Sequence, residues 1–261
     1  MRYENMSYNL DTCCDTSDVF HLDMQASTSE LDDFVYLISH DVRNSVRALI
    51  ELPQWIKEDL SQAGIKAEGS VAESIELMNN HTGRLDRMLV DLLTFSRVGR
   101  LADEEPIGVD DALGDILEQL RIPVGFSVRT ELSCDTLPMG ARDILTLLTQ
   151  LLSNAIKHHD KSSGEILVTL ANLSNHAILR VQDDGPGIPS QYRERIFAAM
   201  TTLKPRDEVE GSGMGLAIVR KIVQFYQGQI VVCSGLNGQG TTIEVSMPRT
   251  KKSAALNSLQ N

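Results

Sequence analysis

The stretch "DDGPGIP", residues 183–189, follows directly on a predicted strand. Gly185 and Gly187 let the backbone turn tightly and approach a flat ligand closely. Asp183 would be held at the end of the strand, where its carboxylate can accept a hydrogen bond from an exocyclic amine such as that of adenine. Taken alone, the stretch is equally consistent with an acidic Gly-Pro turn, so its meaning depends on the rest of the chain.

A second glycine-rich stretch, "GSGMGLAIV" at residues 211–219, leads directly into a predicted helix. Gly211, Gly213 and Gly215 would leave backbone amides and the positive end of the helix dipole facing an anion. The segment before them is a polar loop, whereas a dinucleotide-binding fingerprint requires a strand there. No Lys followed by Ser or Thr comes after them, which disfavours a P-loop.

A third stretch, "QLLSNAIKHH" at residues 150–159, places three polar side chains on one face of a predicted helix. Asn154 and Lys157 are three residues apart, and Asn154 and His158 are four apart. The Asn154 amide oxygen can complete the shell of a Mg²⁺ ion that keeps water and phosphate ligands, and Lys157 supplies a compact charge for phosphate. In isolation the same pattern would describe a solvated helix face.

The region around these stretches alternates helices and strands in an order that predicts an α+β sandwich. Strand and helix blocks that are not joined as simple βαβ units favour this fold. Two strands are predicted around a turn at Ser174–Asn175. Predicted helices cover residues 110–120, 141–159 and 214–227, and predicted strands cover 124–132, 165–173, 176–183, 229–234 and 240–247.

The N-terminal half predicts two long helices that form an antiparallel hairpin. Ser27 and Glu30 have capping-box spacing for the first helix, and Pro53 should bend this helix or end its first part. A lone hairpin leaves apolar surface in water, so dimerisation into a four-helix bundle is expected. The predicted seam of the first helix is a heptad pattern of Leu31, Val35, Ile38, Val42, Ser45, Leu49, Leu52 and Ile56; the apolar positions of the second are Val71, Ile75, Met78, Thr82, Leu85, Leu89 and Leu92.

Composition bounds the possible partners. The chain of 261 residues has a formal net charge of -12, which opposes general affinity for nucleic acid or for an anionic membrane. No uncharged apolar run approaches the roughly 18 residues of a membrane span, and the first residues lack the pattern of a signal peptide. A cytoplasmic protein is expected. The predicted organisation is a flexible lead (1–27), a helical hairpin (28–99), a linker (100–109), an α+β domain (110–249) and a disordered tail (250–261).

In this order and spacing, the three stretches resemble the sensor histidine kinases, whose catalytic domain belongs to the GHKL group of ATPases. The resemblance covers roughly residues 30–248. The helix with Asn154 is similar to the N box of that family, and residues 183–187 and 211–215 are similar to its two glycine boxes. "ERIFAAM", with Phe197, resembles the F box, and Thr241 stands where family members close the adenine pocket. The resemblance implies ATP and Mg²⁺ bound under a lid at about residues 201–210, with Lys204 and Arg206 as candidate phosphate contacts.

Two departures from the family pattern lie in these boxes. The N box usually carries an asparagine four residues before Asn154, where this chain has Gln150. The F box usually ends in a second phenylalanine, where this chain has Met200. Because methionine can fill the same apolar space, altered lid packing is expected rather than loss of ATP binding.

The stretch "LISHDVRNSVRAL", residues 37–49, contains the expected phosphoacceptor. The heptad pattern places His40 opposite the seam, facing solvent, with Asp41 beside it and Asn44 one turn further on the same face. The resemblance implies that His40 is autophosphorylated from ATP, that Asp41 orients its ring, and that the phosphoryl group passes to an aspartate on the receiver domain of a response regulator. In the family, a residue at the position of Asn44 places water for dephosphorylation of the regulator. Ser45 replaces a usual proline, which puts the bend of this helix in doubt.

The residues before the hairpin are too few for a folded input domain, so the signal is expected to come from a sensor protein acting in trans or through the N-terminal segment itself. Other classes share parts of these patterns. A histidine phosphotransfer protein needs no ATP site, while a topoisomerase-like or mismatch-repair-like ATPase clamp and an anti-sigma serine kinase lack the hairpin with its exposed histidine. A scaffold that has lost catalysis is a further alternative, because Gln150, Met200 and Ser45 all depart from the family.

Overall fold

A computed structural model of the protein describes residues 29–99, 107–203, 211–235 and 238–249; for residues 29–34 it describes the backbone alone. The predicted lead and tail, most of the predicted linker, and the candidate lid cations Lys204 and Arg206 lie outside the described residues.

The described part begins with a helical hairpin of α1, Ser29–Gln62, and α2, Ser70–Arg97. Helix α1 continues through Pro53, so the alternative that this proline ends part of the helix is wrong. Two side-chain contacts hold the helices in register. The Arg43 Nε donates to Asp86 Oδ1 at 3.1 Å, and Arg97 Nη2 donates to the Tyr36 hydroxyl at 3.0 Å.

The stripe of α1 that packs inside the hairpin lies beside the predicted seam rather than on it. Ser39, Val46 and Pro53 recur every seven residues and are buried, so they form the contact with α2. Many of the apolar positions predicted to face a partner helix stay exposed in the single chain. The exposed members are Ile38, Val42, Leu49, Leu52 and Ile56 on α1 and Val71, Met78 and Leu85 on α2.

The second part is the predicted α+β fold. Its elements are α3, Val109–Leu120; β1, Phe126–Leu132; α4, Ala141–Lys157; β2, Gly164–Leu173; β3, His176–Asp183; α5, Gly215–Phe225; β4, Gln229–Ser234; and β5, Thr241–Pro248. The five described strands form one sheet in the order β1-β2-β3-β5-β4, in which β1 pairs parallel to β2 and the other pairs are antiparallel. The turn between β2 and β3 falls at Ser174–Asn175, as predicted.

The core lies between the sheet and the helices. Helix α4 buries apolar residues at helical spacing, among them Ile144, Leu148 and Leu151. Alternate residues of β2, from Ile166 to Leu170, are buried beneath it. This packing leaves Asn154 and Lys157 at the end of α4 outside the core, beside the end of β3 that carries Asp183.

Helix α2 packs against α5 of the α+β part. The Lys221 Nζ lies 4.3 Å from the centre of the Phe95 ring, and the Gly99 amide donates to Asp143 Oδ2 at 3.3 Å. The Tyr226 hydroxyl donates to the same oxygen at 2.8 Å. The hairpin therefore contacts the α+β part through α2, beside α5 and the loop before it. Among the described helices, none is both long and apolar enough to cross a membrane.

Candidate functional site

A cavity of about 420 Å³ opens where α4, the end of β3, the start of β5 and the loop before α5 meet. It brings together most of the residues predicted for a nucleotide site. Of those, it is lined by Asn154, Lys157, His158, Asp183, Gly187, Gly211, Gly213, Gly215 and Thr241. Gly185 is buried behind this surface.

Asp183 is fixed through one of its carboxylate oxygens. Its Oδ1 accepts hydrogen bonds from the Gly185 amide at 3.0 Å and from the Thr241 amide at 3.1 Å. Burial raises the pKa of Asp183, although these two amides favour the ionised form. Because Oδ1 is occupied, Oδ2 is the oxygen available to an amine of a ligand in the cavity.

The turn around Asp183 requires two glycines for steric reasons. Gly187 and Gly240 both have positive φ, 77° and 76°. A side chain on Gly240 would collide with the Asp183 carbonyl, and a Cβ on Gly187 would lie 3.0 Å from the Gly240 carbonyl oxygen. The first glycine box and the start of β5 are thus packed backbone against backbone, as a flat ligand beside them would need.

The second glycine box is pressed between the start of the lid and α4. Gly213 has φ of 77°, and a Cβ there would lie 2.9 Å from the Thr201 carbonyl oxygen. A Cβ on Gly215 would lie 2.6 Å from Gln150 Oε1. The N box residue that departs from the family therefore packs on the start of α5. Gly211 has open space around it, so packing does not explain a glycine there.

The polar end of α4 offers oxygen and cationic groups to a phosphate. Asn154 is half-buried, Lys157 is exposed, and the His158 amide closes the helix by donating to the Asn154 carbonyl at 3.1 Å. Within the described residues there is no cluster of three or more His, Cys, Asp or Glu that would hold a metal by itself. A single amide oxygen beside bound phosphate and water fits Mg²⁺, which keeps most of its water and phosphate ligands.

Met200 does not pack in the apolar space that the sequence predicted for it. It is 48% exposed and has a positive φ of 58°, so it does not fill the apolar space expected of the residue that ends the F box. Phe197, earlier in the same stretch, is buried in the core. Met200 is exposed because the turn there directs the chain towards Gly213 and the cavity.

Two charged side chains of α2 and one buried histidine belong to the site, although the sequence did not predict any of them. Asp91 and Arg87 line the cavity although they belong to α2 of the hairpin. In the sequence they look like solvated charges of a long helix, and nothing local indicates a contact more than a hundred residues away.

The buried histidine that the sequence did not predict is His159, which lies behind the Asp183 turn. His159 Nε2 lies 3.1 Å from Asp184 Oδ1, which also accepts from the Glu165 amide at 2.7 Å. The Lys161 amide donates to His159 Nδ1 at 3.1 Å, which assigns the proton to Nε2. His159 therefore supports the turn that carries Asp183, while its neighbour His158 lines the cavity.

His40 lies apart from the cavity lining, on the exposed side of α1. Its side chain is 53% exposed, and its Nδ1 lies 3.2 Å from Asp41 Oδ1. The Tyr36 ring stacks beside it at 6.4 Å between centroids. With Nδ1–H donating to Asp41, Nε2 keeps its lone pair towards solvent. Asn44 is exposed one helical turn further along.

Comparison with known proteins agrees with this geometry. Residues 140–251 match the family described as histidine kinase-, DNA gyrase B-, and HSP90-like ATPase. The chain is 30% identical over 235 residues to the methanogenesis regulatory histidine kinase FilI of Methanothrix harundinacea (strain 6Ac), a match that covers 87% of this chain and 25% of FilI. Residues 140–251 are thus similar to the ATPase domains of that family, and the matches over most of the chain are to histidine kinases.

Two solved structures share the fold over most of the chain. Full-length ShkA in complex with AMPPNP is 22% identical with a TM-score of 0.62, over 83% of this chain and 46% of that one. The histidine kinase ThkA in complex with the response regulator protein TrrA is 20% identical with a TM-score of 0.56, over 85% of this chain and 64% of that one. The chain spans less than a third of the length of the first curated relatives, 29%, 25% and 30% of them.

Proposed function

We propose that this chain is an ATP-dependent protein histidine kinase that phosphorylates its own His40. The observation that carries the proposal is that one chain holds both a nucleotide-type cavity and an exposed imidazole with one nitrogen engaged. Asp183 offers Oδ2 inside the cavity, and His40 offers Nε2 outside it. The domain match to residues 140–251 supports ATP as the phosphoryl donor.

In the proposed complex, Asp183 accepts from the adenine amine, and Thr241 closes the pocket beside it. The phosphates point towards the amides before α5, at the positive end of the helix dipole. Asn154 would hold Mg²⁺, which neutralises charge on the phosphate oxygens when bound. Lys157 and His158 stand on the same side, and Lys204 and Arg206 remain candidate phosphate contacts from outside the described residues.

His40 would act as the nucleophile. Asp41 holds the Nδ1 proton and keeps the ring in the tautomer whose Nε2 lone pair attacks. Nε2 forms a bond to the γ-phosphorus in line as the bond from that phosphorus to the bridging oxygen of ADP breaks. The products are ADP and a phosphohistidine on α1.

The phosphoryl group would then pass to an aspartate on a response regulator receiver domain. The ThkA structure contains the response regulator protein TrrA, and its fold matches most of this chain, which supports a partner of that kind here. Asn44, exposed next to His40, would place water for hydrolysis of the regulator's aspartyl phosphate. Kinase and phosphatase activities would then share one helix face.

The functional unit would be a homodimer joined through the exposed apolar positions of α1 and α2. The expected location of this unit is the cytoplasm.

Acid-labile labelling tests the kinase directly. Purified protein with Mg-[γ-³²P]ATP should acquire label that is labile in acid and stable in base. His40→Gln should abolish the label, whereas His81→Gln, an exposed histidine of α2, should keep it. Label that persists in His40→Gln would overturn the assignment. No label in either protein, with ATP bound, would favour the phosphatase or scaffold alternative.

A further inference from the structure

Asp91 connects the hairpin to the loop before α5, which lines the nucleotide cavity. It lies on α2, yet its carboxylate accepts a hydrogen bond from the hydroxyl of Ser212. Ser212 is buried between Gly211 and Gly213, and its Oγ also accepts from the Met214 amide at 3.0 Å. The hydrogen-bond chain therefore runs from the hairpin into the backbone that starts α5.

The space before the start of α5 is electrostatically favourable for a negatively charged group, and the Asp91 carboxylate is such a group. The start of α5 carries free amides and the positive end of the helix dipole. Burial raises the pKa of Asp91, while the Ser212 hydroxyl, Lys157 and Arg87 favour its ionised form. Lys157, a proposed phosphate contact, thus also interacts with the Asp91 carboxylate. A triphosphate placed before α5 would meet a carboxylate in the same cavity.

We propose that Asp91 is an internal competitor of the nucleotide's phosphate groups. In the nucleotide-free protein its carboxylate accepts from the Ser212 hydroxyl and holds the Ser212 loop against α2; a bound triphosphate brings its own negative charge to Lys157 and to the amides before α5, and displaces the carboxylate. This inference rests on the proposed nucleotide site. Because such coupling is reciprocal, release of Asp91 favours nucleotide, and nucleotide favours release of the Ser212 loop from Asp91 on α2.

Contacts outside the cavity show why loss of Asp91 should not separate the two parts by itself. Phe95 packs with Lys221, and Gly99 bonds to Asp143, both away from the cavity lining. They keep the ATP-binding domain next to α2 when the loop is released. The effect of Asp91 should therefore appear in the binding of phosphate groups and not in general unfolding.

Calorimetric titration of the full chain with Mg-AMPPNP and with adenosine tests the competition. Asp91→Asn and Asp91→Ala should bind AMPPNP about tenfold more tightly than wild type, within the usual range of coupling between two sites. Adenosine has no phosphate, so its affinity should not change. The matched control is Asp86→Asn, since Asp86 is an acid of the same helix that pairs with Arg43 and does not line the cavity. AMPPNP binding that is unchanged or weaker in both Asp91 variants would overturn the proposal, and so would equal tightening of adenosine.

A double-mutant cycle in the nucleotide-free protein tests the contact independently. Asp91→Ala, Ser212→Ala and the double variant are compared by urea unfolding, and the two changes should be clearly non-additive. Additive changes would overturn the proposal. If neither wild type nor any variant binds AMPPNP, the nucleotide site itself fails and the competition fails with it. The cycle would still show whether Asp91 and Ser212 interact, so the two failures are distinguishable.

Discussion

Asp183 shows how one side chain can serve a ligand at the expense of the fold. Its Oδ1 is bound by two backbone amides, and its Oδ2 is left for a ligand. Because burial raises the pKa of Asp183, folding favours its neutral form. The stability that this residue contributes is fully present below the pKa of the unfolded chain and is lost as pH rises through the raised pKa of the folded protein. At neutral pH its charge therefore opposes folding.

Asp183→Asn should separate the two effects. The asparagine Oδ1 can still accept from both amides, so the free energy of unfolding at neutral pH should be equal to or above that of wild type. Nucleotide affinity should fall roughly 10- to 100-fold, because a hydrogen bond to a charged group contributes about 1.5–3 kcal/mol. Urea unfolding and AMPPNP titration measure the two quantities. A variant that unfolds at clearly lower urea than wild type at pH 7 would contradict this account.

At the scale of elements, helix α1 departs at Ser45 from the histidine kinase pattern, which usually has proline there. The Ser45 hydroxyl donates to the Asp41 carbonyl at 3.3 Å, the carbonyl that a proline at this position would leave without its helical N–H partner. Helix α1 already contains Pro53, which is buried inside the hairpin. The chain thus carries its proline thirteen residues beyond His40 rather than five.

Ser45→Pro should destabilise the hairpin. The proline removes one backbone hydrogen bond and crowds the Asp41 carbonyl, at a cost of about 3 kcal/mol. The urea midpoint and the far-UV circular dichroism of the full chain measure the loss, and Ser45→Ala is the matched control that removes the hydroxyl alone and should stay within about 0.5 kcal/mol of wild type. Equal stability of the two variants would show that α1 is already bent at this point.

Local sequence pattern predicted most of the helices and strands, but it could not predict contacts between residues that are far apart in the chain. Alternating apolar residues and the Ser174–Asn175 turn predicted β2 and β3, because strand period and turn chemistry are local properties. Met200 was predicted wrongly, since its exposure depends on a turn against Gly213. Asp91 was not predicted at all: its partner Ser212 is 121 residues away, and no residue near Asp91 indicates that contact.

At the scale of the whole molecule, the chain joins two parts that differ in how much apolar surface they leave exposed. The α+β part buries its apolar residues in one core between helices and sheet. The hairpin does not, because only one stripe of α1 meets α2, and a neighbouring apolar stripe stays exposed. A second copy of the hairpin would cover that stripe and leave His40 exposed, since His40 lies on the opposite side of α1.

Val42→Glu therefore should convert a dimer into a monomer. Val42 is 40% exposed in the single chain, so a glutamate there can reach water in the monomer, whereas in the dimer it would be buried between apolar side chains. Leu37→Glu is the matched control on the same helix: Leu37 is 60% exposed but lies outside the stripe, so this variant should stay dimeric. Sedimentation equilibrium measures the mass, and circular dichroism should show unchanged helix content in both variants. A wild-type chain that sediments as a monomer, or a Val42→Glu variant that sediments as a dimer, would show that the stripe is covered in some other way.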